Sequence, residues 1–354
     1  MKRTKFSISI LISAIVVASL ANGAIAAEKP AKTKPAAEPS AELKLLYKFV
    51  GEWQGTTIVH KTKQNPNEIR DTHTLSCVRV LGGRFTMSKI VASDGTTGLH
   101  LTTYDMQRKC YRIWFFDSRG FANEVQGKWD GKTKIFTWRS TDKENTTVTR
   151  SWYADDNAAK WNSEAKDPNG EVIFRMQGKY TRVKQLPKPK DAPKGKPAER
   201  STEQKVLDLS VGDWKGTATV VKAPGNPKAV SLTGTQSVLR VLGGRFIQEN
   251  GKASDGGAFL DLRTYDVRRK CYRMWFFHSQ GSMTKYTGKW NAKTKTMTWL
   301  SDQGNGGTSG FKVQYPDDNT VKWSLVVKDP DGKAVFRMKG KNTRVKKPAK
   351  KKGS

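Results

Sequence analysis

At residues 78–85 the chain reads "VRVLGGRF", and 161 residues later, at 239–246, it reads "LRVLGGRF". The echo extends through both halves. "VGEWQGT" at 50–56 answers "VGDWKGT" at 211–217, and "TYDMQRKCYRIWFF" at 103–116 answers "TYDVRRKCYRMWFF" at 264–277. "GKW" recurs at 127–129 and 288–290, and "KDPNGEVIFRM" at 166–176 meets "KDPDGKAVFRM" at 328–338. Solenoid repeats run roughly 20–50 residues, too short for this period. A unit of about 140 residues can bury a core of its own. The chain is therefore one domain written twice, at 42–184 and 203–346.

What lies outside the copies has a different composition. Residues 1–26 open with Met1, Lys2, Arg3 and Lys5, run through an apolar stretch from Phe6 to Leu20, and close on small residues ending at Ala26. This is the pattern of a secretory signal peptide, and the run is short of the roughly 20 apolar residues a membrane span needs. The mature chain is expected in a periplasmic or extracellular space, with no transmembrane segment. Residues 27–41 form a Pro- and Ala-rich spacer, 185–202 alternate Pro with Lys, and 347–354 are a basic tail. Without aromatic residues such segments cannot bury enough surface to fold, and Pro-rich composition favours an extended spacer.

The formal net charge is +32. Its densest part is on the connections, since 184–202 carries six Lys/Arg against two Asp/Glu and 346–354 carries five Lys and no acid. Export argues against nucleic acid as the partner. Two readings of the charge remain open, a solvated surface that maintains solubility and attraction to an anionic cell-envelope surface.

Within each copy, short β-rich runs alternate with turn signals. "DGKT" and "NAKT" separate "GKW" from "KIFTW" and "KTMTW", "ADDN" and "PDDN" precede "AAKW" and "TVKW", and "DPNG" and "DPDG" separate the last two strands. Asp, Asn and Gly suit tight hairpins. The spacing predicts an all-β chain, two tandem antiparallel meander barrels of about ten strands each, since closure removes exposed sheet edges. Each barrel should start with a short helix, "SAELKLLYKFV" or "STEQKVLDLSV", that plugs or covers one end.

The "GEWQG" and "GDWKG" words just after those helices resemble the start of calycin barrels, the superfamily of lipocalins and fatty-acid-binding proteins. That resemblance implies structural roles for Gly51, Trp53, Gly212 and Trp214, with Arg182 and Arg344 of "YTRV" and "NTRV" stacked on the tryptophans. The ordered set of G-x-W-x-G, "LGGRF", "YD" before a basic turn and an aromatic strand, "GKW", and a closing "TR" is similar to a narrower group, the bacterial domain-of-unknown-function family fifteen-seventy-nine. That likeness implies a calycin-type barrel in each copy and no established activity. In "LGGRF" the glycines, Gly83 and Gly244 among them, allow a corner without Cβ strain. Arg84 and Arg245 follow it. They either complete the corner or reach the barrel mouth as candidate carboxylate ligands.

Recognisable catalytic chemistry is missing from the sequence. His60, His73, His100 and His278 fall opposite Val221, Gly234, Asp261 and Asp117 in the other copy, so no histidine set is shared. Neither copy offers the clustered ligands that zinc requires, and the pairs Asp155–Asp156 and Asp317–Asp318 sit in hairpin turns. We read the chain as a non-enzyme without cofactor or metal. Cys77 and Cys110 could bridge in an oxidising compartment or stay as buried thiols. The strands "CYRIWFF" and "CYRMWFF" carry large side chains on both faces, with Cys110, Arg112, Trp114 and Phe116 on one and Tyr111, Ile113 and Phe115 on the other. An Arg among aromatics resembles the carboxylate anchor of fatty-acid-binding barrels. Arg112, Trp114, Arg273 and Trp275 are therefore the candidate contacts for a small apolar or amphipathic ligand, with an ordinary packed strand as the alternative. Loops differ more than strands between the copies, so the expected pockets are similar but not identical.

Overall fold

The computed structural model describes residues 38–140, 145–187, 200–221, 229–302 and 306–345. The expected signal peptide, the basic tail and most of the spacer and linker lie outside them. In the first copy, α1 (Ala41–Tyr47) leads into β1 (Gly51–Val59), β2 (Ile69–Val80), β3 (Phe85–Ala92), β4 (Thr97–Asp105) and β5 (Cys110–Asp117). β6 (Ala122–Asp130), β7 (Ile135–Ser140), β8 (Thr146–Asp155), β9 (Ala158–Lys166) and β10 (Val172–Val183) follow. Every strand pairs antiparallel with the next, and β1 pairs with both β2 and β10, which closes the barrel.

The second copy repeats the plan. α2 (Thr202–Val206) runs into a 3-10 turn at Leu207–Ser210. It is followed by β11 (Gly212–Val221), β12 (Val230–Val241), β13 (Phe246–Ala253), β14 (Ala258–Asp266) and β15 (Cys271–His278). The rest is β16 (Met283–Asn291), β17 (Thr296–Asp302), β18 (Thr308–Asp317), β19 (Thr320–Lys328) and β20 (Ala334–Arg344), and β11 closes the ring by pairing with β20. The two tandem ten-stranded barrels expected from the hairpin spacing are what the chain forms. No helix among the described residues is long and apolar enough to cross a membrane.

The helices are short and depend on their caps and on burial. Ser40 Oγ accepts from Leu43 N–H at 3.4 Å, and Leu43 and Leu46, three apart, are buried on one face. They pack with Tyr111, Val125, Phe136 and Trp138 at one end of the first barrel, so α1 plugs that end. In α2 Ser201 and Gln204 form a reciprocal capping box, which satisfies donors that a five-residue helix cannot.

Some turns are made differently from the expectation. In the "DGKT" and "NAKT" hairpins the left-handed residues are lysines, Lys134 (φ 55°) and Lys295 (φ 47°). There Asp130 Oδ1 caps the N–H of Lys132 at 2.9 Å, and Asn291 Oδ1 accepts from Thr294 N–H at 3.2 Å. The acidic or amide residue holds the loop by side-chain hydrogen bonds, and the strain falls on a residue without a preference for it. The "LGG" corner has three consecutive left-handed residues, Leu81 (φ 53°), Gly82 (φ 65°) and Gly83 (φ 83°), and the second copy matches it. Tyr47 Oη donates to Gly83 O at 2.5 Å, which ties the corner to α1.

Candidate functional site

Alternation along each strand decides which side chains enter a lumen. In the second barrel the register pairs Glu249 with Asp261, Asp261 with Phe276, and Arg263 with Met274, so all face inward. They line a cavity of about 170 Å³ that Trp214 also lines. Its apolar wall includes Phe259, Phe276, Phe311, Trp323, Leu325 and Met338.

One side of this cavity is charged. Arg263 Nη2 donates to Asp261 Oδ2 at 2.7 Å and to Glu249 Oε2. Asp261 is 2% exposed, Glu249 7% and Arg263 8%. Burial pushes the Asp261 pKa up, Arg263 pulls it down and Glu249 raises it again, to about 7. For Arg263, burial lowers the pKa but the two carboxylates more than reverse that, and the guanidinium stays charged. Three buried polar atoms here have no hydrogen-bond partner among the described residues: Asp261 Oδ1, Arg263 Nε and His278 Nε2. Other lumen polar groups are satisfied, as Asn342 Nδ2 donates to Gln236 Oε1 at 2.7 Å and Tyr286 and Ser309 share a hydrogen bond at 3.2 Å.

The same positions of the first barrel hold other side chains. His73 stands where the second barrel has Gly234 and lies across Gly55, where a Cβ would come within 2.2 Å of His73 Nε2. Tyr180, in place of Asn342, meets the His73 ring edge-on at 5.1 Å. Phe49 stacks on Trp53 at 4.9 Å and meets Tyr180 at 5.4 Å. Ser88, His100 and Thr102 replace Glu249, Asp261 and Arg263. His100 packs against Phe115 at 4.4 Å, and burial, with His73 nearby, holds its pKa down to about 3. The first lumen is thus occupied by aromatic and imidazole rings where the second has Gly234 and Asn342.

The model of a family described as a protein of unknown function, DUF1579, matches residues 38–182 and again 199–344. The chain belongs to the DUF1579 family. No match is found among curated proteins. Among solved structures, a protein of unknown function from the DUF3598 family of Nostoc punctiforme is 8% identical, covering 87% of this chain and 100% of its own, with a TM-score of 0.29. The S-type phycobiliprotein lyase CPES from Guillardia theta is 11% identical, covering 42% of this chain and 100% of its own, with a TM-score of 0.30. Scores this low carry no functional inference.

In this DUF1579 chain each Gly-x-Trp tryptophan is paired with an arginine of its barrel's last strand. Arg182 lies 4.2 Å over the Trp53 ring and donates to Val50 O and Lys48 O, both at 2.7 Å. Arg344 lies 4.2 Å over Trp214 and donates to Val211 O and Leu209 O. Gly51 (φ 130°) and Gly212 (φ 132°) leave room for those guanidinium groups, since a Cβ at either would come within 2.4 Å of the arginine Nη1. Gly83 and Gly244 form the corners, and Arg84 and Arg245 stand between them and the first residues of β3 and β13. Neither Arg84 nor Arg245 belongs to the second-barrel cavity.

The structure moves the other candidates out of the lumen. Tyr111, Ile113 and Phe115 face inward, so Arg112 and Trp114 face outward, and Arg273 and Trp275 do the same in the second barrel. Arg112 donates to Glu124 Oε1 at 2.8 Å and to Asp105 Oδ2 at 3.0 Å, and stands 4.7 Å over Trp114. Arg273 donates to Asp266 Oδ2 at 3.3 Å and stands 4.5 Å over Trp275. These arginines serve ion pairs on the outer wall, and no ligand inside the barrel reaches them. The Cys77–Cys110 bridge is likewise not formed, because the three cysteines are free thiols. Cys77 points into the lumen from β2 and Cys110 points outward from β5, on opposite faces of the sheet with two strands between them.

Glu249, Asp261 and Arg263 were missed by motif reading because no motif contains them. A signal was present, however. In "AFLDLRTYD" charged residues alternate with leucines, and the first copy has uncharged residues at both positions.

Proposed function

We propose that this chain is an exported, non-enzymatic binding protein whose second barrel holds a small apolar or amphipathic molecule in its lumen. The observation that carries this reading is the second-barrel cavity, aromatic on its walls and lined on one side by buried polar atoms without partners among the described residues. Ligand sites commonly combine an apolar concavity with a few convergent polar groups. An apolar cavity of about 150 Å³ takes a benzene-sized molecule, so about 170 Å³ suits a ligand portion of about six to eight non-hydrogen atoms. The first barrel, with His73 and Tyr180 across its lumen, acts as a structural copy. The basic start and apolar run of residues 1–20 support export.

The test uses the full chain and a plugged variant. Gly234→His with Asn342→Tyr writes the first barrel's lumen pair into the second. Toluene binding, followed by tryptophan fluorescence and ligand-observed NMR, should be saturable in the natural protein and lost in the plugged one. Native mass spectrometry of protein from its own source should show a bound small molecule. Equal toluene binding by both proteins, or none by either, overturns the reading.

A further inference from the structure

We infer that the ligand of the second barrel carries a cationic amine-type head, which docks on Asp261 Oδ1 while its apolar body lies against Phe276, Phe311 and Trp323. This rests on the lumen-binding reading above and narrows it to a chemical class. Two carboxylates and one guanidinium form the buried cluster, and the cavity's other cation, Lys252, is exposed to solvent, so with all three ionised the buried cluster itself holds one excess negative charge. Buried charge is costly unless paired and hydrogen-bonded. Arg263 Nη2 occupies Asp261 Oδ2 and Glu249 Oε2. Asp261 Oδ1 is left on the cavity wall as a buried acceptor without a partner among the described residues.

An ammonium supplies both missing elements, a positive charge and N–H donors. A carboxylate would add a third negative charge beside Glu249 and Asp261. A neutral alcohol could hydrogen-bond but would leave the charge uncompensated. The other two unpartnered atoms, Arg263 Nε and His278 Nε2, are donors, and a neutral acceptor on the ligand satisfies them without adding negative charge. His278 Nδ1 accepts from Gln280 N–H at 3.3 Å, so the ring carries its hydrogen on Nε2 and is neutral. Its pKa is lowered by burial.

The binding has a definite pH dependence. The titratable and charged groups around the cavity with Asp261 are Glu249 on β13, Lys252 on β13, Arg263 on β14, His278 on β15, Tyr286 on β16 and Tyr315 on β18. Tyr286 and Tyr315 are pushed up to about 12 by burial and stay neutral. Burial, with Glu249 beside it, raises the Asp261 pKa against the pull of Arg263, so Asp261 takes up a proton at a higher pH than an exposed carboxyl does. Without a ligand it takes up a proton as the pH falls, and an ammonium must displace that proton.

Hexylamine, hexanol and hexanoate, matched in chain length, separate the alternatives by calorimetry on the full chain at pH 8. Hexylamine should bind at least tenfold more tightly than the other two. Its affinity should fall at least tenfold between pH 8 and pH 5, while that of hexanol stays level. Asp261→Asn should bring hexylamine to the affinity of hexanol. Should that variant fail to fold, the pH profile of the natural chain decides alone. Equal or tighter binding of hexanol or hexanoate, or a level hexylamine profile, overturns the cationic head and leaves lumen binding intact. Binding of none of the three overturns both.

Discussion

Arg263→Met removes the guanidinium that holds Glu249 and Asp261 together in the second lumen. Removing one partner of a buried ion pair costs about 3–5 kcal/mol, because the remaining charge stays buried without compensation. The carboxylates left behind can escape by binding protons. That escape costs about 1.4 kcal/mol for each pH unit above an unfolded carboxyl pKa of about 4. It is therefore small at pH 5 and large at pH 8. The variant should lose about 3–5 kcal/mol at pH 8 and only about 1–2 kcal/mol at pH 5. The triple variant Glu249→Ser, Asp261→His, Arg263→Thr carries the first barrel's residues at these positions and buries no net charge. It should stay within about 1–2 kcal/mol of the natural chain, since replacing a whole buried ion cluster is often near neutral. Denaturant unfolding at the two pH values measures the totals, and hydrogen exchange at β13 and β14 places the loss in the second barrel. A single-variant cost under about 1 kcal/mol at pH 8, a cost that does not shrink at pH 5, or a triple variant as unstable as the single refutes the reasoning.

Two further outcomes test the first barrel. Gly51→Ala forces a Cβ onto a residue at φ 130° and within 2.4 Å of Arg182 Nη1, and should destabilise by about 2–4 kcal/mol through backbone strain and a displaced cation–π stack. Calorimetric melting checks this, and the loss should be smaller in an Arg182→Ala background, where the clash is gone. His100 has a folded-state pKa of about 3, below its unfolded value of about 6.5, so folding excludes its proton. The stability that goes with this exclusion is complete above pH 6.5 and is lost as the pH falls toward 3. His100→Phe should flatten the loss between pH 6.5 and 4 in denaturation series, and a His100 C2 proton that shifts between pH 8 and 5 would contradict it.

Much of the fold was legible in local chemistry. The repeat set two units, the Asp- and Asn-initiated turns set ten strands in each, and closure followed from the instability of open edges. The placement of Arg182 over Trp53 was carried by a resemblance, and the geometry supplies its reason: Gly51 lacks the Cβ that would occupy the guanidinium's place. Export and the basic arms concern residues outside the described ones.

Which face of a strand looks inward could not be read from a period of two. "CYRIWFF" divides its side chains into two sets, and both are apolar enough to be interior, so Arg112 and Trp114 were plausible lumen residues. Only the register around a closed ring, which places Ile113 opposite Thr102 and Val125, assigns Arg112 to the outside and its counterpart set to the inside. The same register sets Gly251 opposite Phe259 and Ile90 opposite Gly98, so volume lost on one strand is supplied by its neighbour. Strand propensity and turn chemistry are properties of adjacent residues, and the sequence determined them alone. Cavity shape and the meeting of Glu249, Asp261 and Arg263 depend on residues brought together across strands, and a one-residue slip in register would send each of them to the opposite face.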